Sequence, residues 1–297
     1  MKIAVTGAAG QVGSHVMEEL IPDHEVVGID LKGPSIKEHA PLIRRADIRD
    51  PKAVATALKG VEAVIHLAAQ ISVPKSISDP LFDLDVNVKG TLSMLHASKN
   101  AGVRRFVFVS SAAVYGDPLR LPLEEEHPKN PLSFYGVSKV CGEEYVKAFG
   151  RTMGLEYAIV RPFNLYSVRA DPSSPYSGVI TKFVTRAKEG KDLLVEGDGL
   201  QTRDFAHVRD LARMISLILR SDAKDITLNC GSGRGTSVLE LARTVQALSP
   251  QKVGIVHKEA RLGDIRHSVA DVTRAKELLK FETEIDLRDG LATFFEL

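Results

Sequence analysis

Cysteine is nearly absent from this 297-residue chain, which holds only Cys141 and Cys230. They stand far apart, and neither belongs to a Cys-x-x-Cys or Cys/His cluster with zinc spacing, so neutral thiols and no metal are expected. Net charge is nearly absent too. Lys+Arg 39 against Asp+Glu 38 leaves +1, with no single-sign run to form a tail or basic stripe, which argues against nucleic acid as a partner. No apolar run reaches the ~18 residues of a membrane span. The chain opens on the strand-like Lys2-Ile-Ala-Val-Thr6 rather than on a basic, then apolar, then small-residue leader. A cytoplasmic protein without membrane contact is therefore expected. No internal repeat or low-complexity segment is visible.

What is present is a chain that is 44% hydrophobic, enough for one large core or two modest ones. In its first half, short β-branched runs alternate with longer helical patterns, the signature of βαβ units and a parallel sheet. Lys2–Thr6, Glu25–Asp30, Ala63–Leu67, Arg105–Ser110 and Glu156–Arg161 read as buried strands. Val12–Leu20, Pro51–Leu58, Leu81–Asn100 and Tyr135–Gly154 read as helices. After Pro162 the texture changes: Asp171–Pro175 is loop-like, and Leu193–Gly199 is a strand running into a turn. Helices are expected over Val179–Glu189 and near Val208–Leu219, Val238–Leu248 and Ala275–Leu279. The fold class expected is α/β, a Rossmann-type doubly wound parallel sheet with a smaller C-terminal α/β substrate-binding domain. Residues 1–163 plus about 204–230 would form the first domain, and 164–203 plus about 231–297 the second.

Gly7, Gly10 and Gly13 sit in Thr6-Gly-Ala-Ala-Gly-Gln-Val-Gly13, between a predicted strand and a predicted helix. That is the context of a phosphate-binding turn: Gly7 for the tight turn, Gly10 for close approach to a pyrophosphate, Gly13 for helix against strand. Gln11 and Val12 open the helix, whose free N–H groups suit the phosphate charge. Asp30 ends the next strand, where a carboxylate accepts both ribose hydroxyls and repels a 2′-phosphate, favouring NAD over NADP. Lys32 nearby pulls the other way. Asp47 and Ile48 either close an adenine pocket or belong to an ordinary loop. Leu67, Ala68 and Ala69 either let backbone lie against the cofactor or simply pack.

Tyr135 and Lys139, four apart, share a helix face, so an ammonium can sit beside a phenol. Ser111 follows the fourth of the strands named above. A hydroxyl, a phenol and an ammonium on a nucleotide fold are what is needed to take a proton off an alcohol while a nicotinamide takes the hydride. A free phenol has a pKa of roughly 10, and lowering it by about three units requires roughly 4 kcal/mol of differential stabilisation. Lys139 and an oxidised nicotinamide are the expected sources.

Together these motifs resemble the extended short-chain dehydrogenase/reductase family, in particular its nucleotide-sugar epimerases. The resemblance also rests on Asp85-Val-Asn87-Val-Lys-Gly90-Thr91, Ser110–Gly116, Arg161-Pro-Phe-Asn164, Gln201-Thr-Arg203-Asp-Phe205 and Arg261-Leu-Gly-Asp264. It implies C4 oxidation of the sugar by tightly held NAD, rotation of the 4-keto sugar, and return of the hydride to its other face. It implies Ser111 as the hydroxyl on the reacting oxygen, Tyr135 as base, and Lys139 as the group that tunes it and holds the nicotinamide ribose. Asn87 and Pro162 fall near the cofactor by the same correspondence. Asn164, Gly178 and Val179 fall at the sugar nucleotide, Arg203 and Arg261 on its diphosphate, and Asp264 on its ribose. Lys75, His66 and His207 read as structural. The helices Leu81–Asn100 and Tyr135–Gly154 resemble a homodimer interface.

Dehydrating relatives carry Asp-Glu after the catalytic hydroxyl, and decarboxylating ones a Glu at the second place. Here Ala112 and Ala113 stand there, and a methyl transfers no proton. Oxidation and reduction remain, with UDP-glucose and UDP-galactose as expected substrates. Tyr176-Ser177-Gly178 replaces an Asn common in the epimerases, Glu196 replaces a common aromatic residue near the base, and Ser268 with Gly178 suggests room for an N-acetylated sugar. A plain dehydrogenase resembling the short-chain L-threonine dehydrogenases and a non-catalytic dinucleotide sensor are the alternatives.

Overall fold

The computed structural model describes residues 1–172, 178–260 and 265–296. Its first half runs β1 (Lys2–Thr6), α1 (Gln11–Leu20), β2 (Glu25–Asp30), β3 (Ile43–Arg45), α2 (Pro51–Ala57) and β4 (Ala63–His66). Then come α3 (Val73–Ser78), α4 (Pro80–Leu84), α5 (Gly90–Asn100), β5 (Arg105–Val109), α6 (Phe134–Met153) and β6 (Glu156–Pro162). The second half adds β7 (Asn164–Tyr166), α7 (Val179–Lys188), β8 (Leu193–Glu196), β9 (Thr202–Arg203), β10 (Phe205–His207), α8 (Val208–Arg220) and β11 (Ile226–Cys230). It closes with β12 (Thr236–Ser237), α9 (Val238–Leu248), β13 (Ile255–Lys258), β14 (His267–Ser268), α10 (Thr273–Leu279) and α11 (Leu287–Ala292).

Seven parallel strands form one sheet in the order β11-β6-β5-β4-β1-β2-β3. Alternate side chains face opposite layers, so both faces are apolar. Ile3, Val5, Ile65 and Val107 pack on α1 and α8, while Ala4, Val64, Phe106 and Phe108 pack on α2, α5 and α6. The smaller lobe has its own core, built from Phe183, Val184, Leu193, Val195, Leu241 and Val245. Strand order reverses between β4 and β1, and the crevice at such a reversal is where an open α/β sheet binds ligands. No helix among the described residues is long and apolar enough to cross a membrane.

The five predicted strands are present, with two ending a residue earlier and one a residue later than expected. The sheet's two edge strands were not assigned from the sequence. Two arginines hide β3, and β11 carries Asn229, a polar residue satisfied inside: Nδ2 donates to Leu123 O at 2.8 Å and Oδ1 accepts from Tyr115 at 2.6 Å. The helix expected over Leu81–Asn100 is broken into α4, a π-helical turn at Asp85–Lys89, and α5. Asn87, inside that turn, spends its side chain on the loop after β4, and Gly90 lets α5 approach Ile48, whose Cδ1 would lie 2.7 Å from an added Cβ. Residues 173–175 of the expected loop fall outside the described residues.

Candidate active site

The turn after β1 is built by what its glycines lack. Gly7 has φ +69, and a Cβ there would lie 2.9 Å from the Ala68 nitrogen. A Cβ at Gly13 would lie 2.1 Å from Gly7 O, so α1 could not reach the strand. At Gly10 it would meet only Gly7 O, at 3.2 Å. Gly10 caps α1 without a side-chain hydrogen bond, which leaves the first N–H groups of the helix for an anion. Gln11 leans away, its Nε2 donating to Ser167 Oγ at 3.1 Å. Val12 packs against the core.

Asp30 accepts from Ala9 N and Lys32 N, both at 2.9 Å, one on each oxygen. A carboxylate has about four acceptor positions, so two remain for a ribose diol. It lines a cavity of about 390 Å³ with Gly7, Ala46, Asp47, Ile48, Ala68 and Ala69. Asp47 is thus part of this wall. Its carboxyl is held below the usual range chiefly by hydrogen bonds from Arg49, at 2.7–3.1 Å. Arg49, Gln70, Ile71, Lys75 and Phe82 also line this cavity, and sequence reasoning missed them. Lys75, read as structural, holds its Nζ 4.3 Å from the Phe82 ring centre. Leu67 lies just outside, its N–H donating to Thr6 Oγ1 at 3.1 Å. Pro162 is buried beside Cys230 and lines neither this cavity nor the larger one described below. The open turn, the free helix end and the two remaining acceptor positions of Asp30 fit a dinucleotide.

Ser111 opens the connection that leaves β5, its Oγ accepting from Ala113 N at 3.1 Å, and its hydroxyl lies near enough to the Tyr135 phenol to favour its anion. Tyr135 stands in the first turn of α6, which Ser133 caps by accepting from Gly136 N at 3.1 Å. One turn on, Lys139 is 5% exposed. Its Nζ donates to Val109 O at 3.0 Å and lies 5.9 Å from the Tyr135 ring centre. Burial pulls this ammonium down to about 8 against the charges of Asp83 and Glu143. Burial likewise pushes the Tyr135 phenol up to about 12, with the Ser111 hydrogen bond opposing and Asp83 adding to the rise. This differs from the expectation that Lys139 brings the phenol down. Proximity is as predicted, but desolvation is the larger effect.

A second cavity, of about 810 Å³, is lined by Asn164, Gly178, Val179 and Arg203, together with Lys182, Arg186, Glu196 and Lys258. Ile71 lines both cavities, so the segment after β4 is their common wall. Asn164 and Arg203 are brought together through Asp204, fully buried, whose backbone carbonyl accepts from Asn164 N at 2.9 Å and Nδ2 at 3.1 Å. The Asp204 carboxylate gathers N–H groups of Ser232, Gly233 and Ala270 at 2.7–3.1 Å, tying the link between β9 and β10 to the segments that follow β11 and β14. A Cβ at Gly178 would meet no described residue within 4 Å. Ser268 pairs its backbone with β9 and does not line the cavity, so it carries no argument for extra room. Arg261 and Asp264 lie outside the described residues, as do Tyr176 and Ser177.

His66 and His207 fit the structural reading. His66 bridges Thr6 and Thr91 at 2.8 and 3.0 Å and is driven down to about 3 by burial. His207 caps α8 by accepting from Arg209 N.

Residues 3–231 match the family model described as NAD dependent epimerase/dehydratase family. A Methanocaldococcus jannaschii protein that carries the UDP-glucose 4-epimerase name provisionally is 39% identical, over 97% of this chain and 95% of its own. The structure of UDP-glucose 4-epimerase from Thermotoga maritima with UDP-glucose superposes with a TM-score of 0.94 at 34% identity, covering 100% of this chain and 99% of that one. A UDP-N-acetylglucosamine 4-epimerase from Methanobrevibacter ruminantium, in complex with UDP-N-acetylmuramic acid, gives 0.93 at 31%, covering 99% and 98%. The chain is an enzyme of the NAD-dependent epimerase/dehydratase family, similar to UDP-glucose 4-epimerase.

Proposed function

We propose that this enzyme interconverts the C4 epimers of a UDP-sugar in the cytoplasm, with UDP-glucose and UDP-galactose as substrates and room for their N-acetylated counterparts. The observation that carries the reading is the Ser111–Tyr135–Lys139 set, with Ala112 and Ala113 beside it. It holds one hydroxyl and one phenol for a carbinol oxygen, and nothing adjacent for elimination or decarboxylation. Bound NAD supplies the hydride acceptor and, when oxidised, a positive ring charge. Tyr135 takes the C4 hydroxyl proton while Ser111 donates to the same oxygen. Lys139 holds a second positive charge near the phenol. At about 12, the phenol of the protein alone lies about five units above neutrality, roughly 7 kcal/mol. Ionisation at neutral pH therefore requires those charges. Lys182, Arg186, Arg203 and Lys258 suit a diphosphate in a cavity wide enough for the keto sugar to turn. The space that the described residues leave at Gly178, and the UDP-N-acetylglucosamine 4-epimerase name of the Methanobrevibacter relative, support the wider sugar range.

In this reading residues 1–163 and about 204–230 serve the cofactor, and 164–203 with 231–297 the sugar nucleotide. Exposed apolar side chains on α3, α4 and α6, among them Ile77, Leu81, Leu84, Phe134 and Val137, support a homodimer through this face. Light scattering checks it, and a monomer at micromolar concentration counts against it.

The direct test incubates purified protein, without added NAD, with UDP-glucose, UDP-galactose, UDP-N-acetylglucosamine, UDP-glucuronate and dTDP-glucose, and resolves products by NMR. Inversion at C4 without net cofactor reduction is expected. Stoichiometric NADH would replace the reading with a dehydrogenase. UDP-glucose turnover without UDP-N-acetylglucosamine turnover removes the wider sugar range.

A further inference from the structure

One buried charge close to the reacting groups has no part in the chemistry above. Asp83, on α4, is 1% exposed, and no described lysine, arginine or histidine forms an ion pair with it. An unpaired buried carboxylate is costly, and such groups concentrate at functional sites. Its Oδ1 accepts from Gln70 Nε2 at 2.9 Å and Asn87 Nδ2 at 3.0 Å. Each donor leads to a different part of the site.

Gln70 leads to the wall. Its Nε2 also donates to Ser72 O at 3.0 Å, and its Oε1 accepts from Ser72 N, so the chain from Gln70 to Ser72 is clamped. Gln70 lines the smaller cavity, Ser72 the larger and Ile71 both. Ser72 then caps α3, and Ser76 on α3 accepts from Tyr135 N at 3.1 Å. Asn87 leads to the catalytic helix: its Nδ2 lies 3.2 Å from Ser138 Oγ, which donates to Tyr135 O at 2.9 Å. Asp83 thus stands where two hydrogen-bond paths meet, and both end on the backbone of Tyr135.

We propose that Asp83 is a positioning residue for the reaction: its carboxylate locks the wall shared by the two cavities to the helix that carries Tyr135, and its charge, two hydrogen bonds from Ser138, sets the electrostatics of that helix turn. The charge acts on both reacting groups. It favours the cation on Lys139 and disfavours the anion on Tyr135. Other charges face this region. Lys75 on α3 lies over Phe82; Asp85, in the π turn, pairs with both Lys89 and Arg49. Glu143 on α6 pairs with Arg161 and still adds its charge to that of Asp83 at Lys139, while His66 on β4 stays neutral. None of them occupies the place of Asp83 between wall and helix.

The inference rests on the epimerase reading, and two variants divide it. Asp83→Asn keeps an acceptor for both donors and removes the charge. Both limbs of the kcat profile are expected to move to lower pH by about one unit, because phenolate forms earlier and the ammonium is lost earlier. An ultraviolet titration of the phenol in NAD-loaded protein moves the same way. Gln70→Leu leaves the charge and cuts the wall. It is expected to raise the sugar KM and loosen NAD about tenfold, with both limbs in place. Unmoved limbs and phenol titration in folded Asp83→Asn overturn the electrostatic part. Unchanged KM and NAD retention in Gln70→Leu overturn the positional part. If the wild-type enzyme turns over no UDP-sugar, the functional reading fails, while the phenol titration and NAD retention still decide on Asp83.

Discussion

Replacing Glu143 by Gln tests how much of the fold depends on a single buried ion pair. Glu143 is 0% exposed and Arg161 2%. The carboxylate accepts from Arg161 Nε at 2.8 Å and NH2 at 2.7 Å, and from Ser110 Oγ at 2.8 Å. The pair joins α6, one turn beyond Lys139, to the end of β6. The two partners are unequal. Glu143 can take up a proton and has Lys129 Nζ at 3.4 Å, whereas a guanidinium cannot neutralise itself. In Glu143→Gln the Arg161 cation would keep only neutral acceptors, Glu125 O at 2.7 Å and Tyr115 Oη at 3.0 Å. Breaking a buried pair on one side costs about 3–5 kcal/mol. At ~2–4 °C per kcal/mol for a domain of ~150–250 residues, the melting temperature should fall by about 10 °C. Arg161→Met should cost less, and progressively less toward acid pH, where Glu143 protonates. The double variant Glu143→Leu/Arg161→Met should recover at least half of the single loss, since replacing both charges by apolar groups is often neutral. Urea unfolding followed by circular dichroism measures all three. A Glu143→Gln loss below about 1 kcal/mol, or a double variant as unstable as the two single losses added, would refute the reasoning.

Tyr135→Phe should lower kcat by about 10²–10⁴-fold, the range for removing a positioned acid or base, with NAD content after purification unchanged. Gly10→Ala and Gly13→Ala should part company by calorimetry and NAD titration. The Gly10 Cβ meets one atom at 3.2 Å, so that variant should fold normally and bind NAD weakly, while Gly13, at 2.1 Å, should lose stability as well. His15, His66 and His207 are driven by burial to about 4, 3 and 4 from 6.5. The unfolded chain then binds protons that the folded chain refuses, so stability should be whole above pH 6.5 and drain as pH falls toward 4. At most about 3 kcal/mol per histidine is at stake. Urea midpoints from pH 7 to pH 4 check it, and His207→Gln should flatten part of the slope.

Periodicity carried most of the sheet and the helices around it, because burial on both faces forces near-continuous apolar strands that few other structures need. Ser111, Tyr135 and Lys139 were legible for a related reason: their spacing on a strand end and a helix turn settles proximity before the rest of the fold is known. Their electrostatics were not. Four residues of helix place an ammonium near a phenol, but enclosure decides whether the phenol ionises, and enclosure exists only once the chain has packed around it. The same limit hid Asp83, Gln70 and Lys75, since an acid, an amide and a lysine in a polar stretch look alike whether solvated or walled in. Asp47 and Arg49 show an intermediate case: Asp47 reads equally as pocket wall or loop acid, and Arg49, two on, carries no signal until the chain turns both onto the cavity. The residues that hold the reacting groups are polar residues turned inward. Their roles depend on partners 13 to 17 positions away in the Asp83–Gln70–Asn87 network, and 40 positions away for Asn164 and Asp204. That separation is why pattern brings out the groups proposed to react and only the packed structure shows what steadies them.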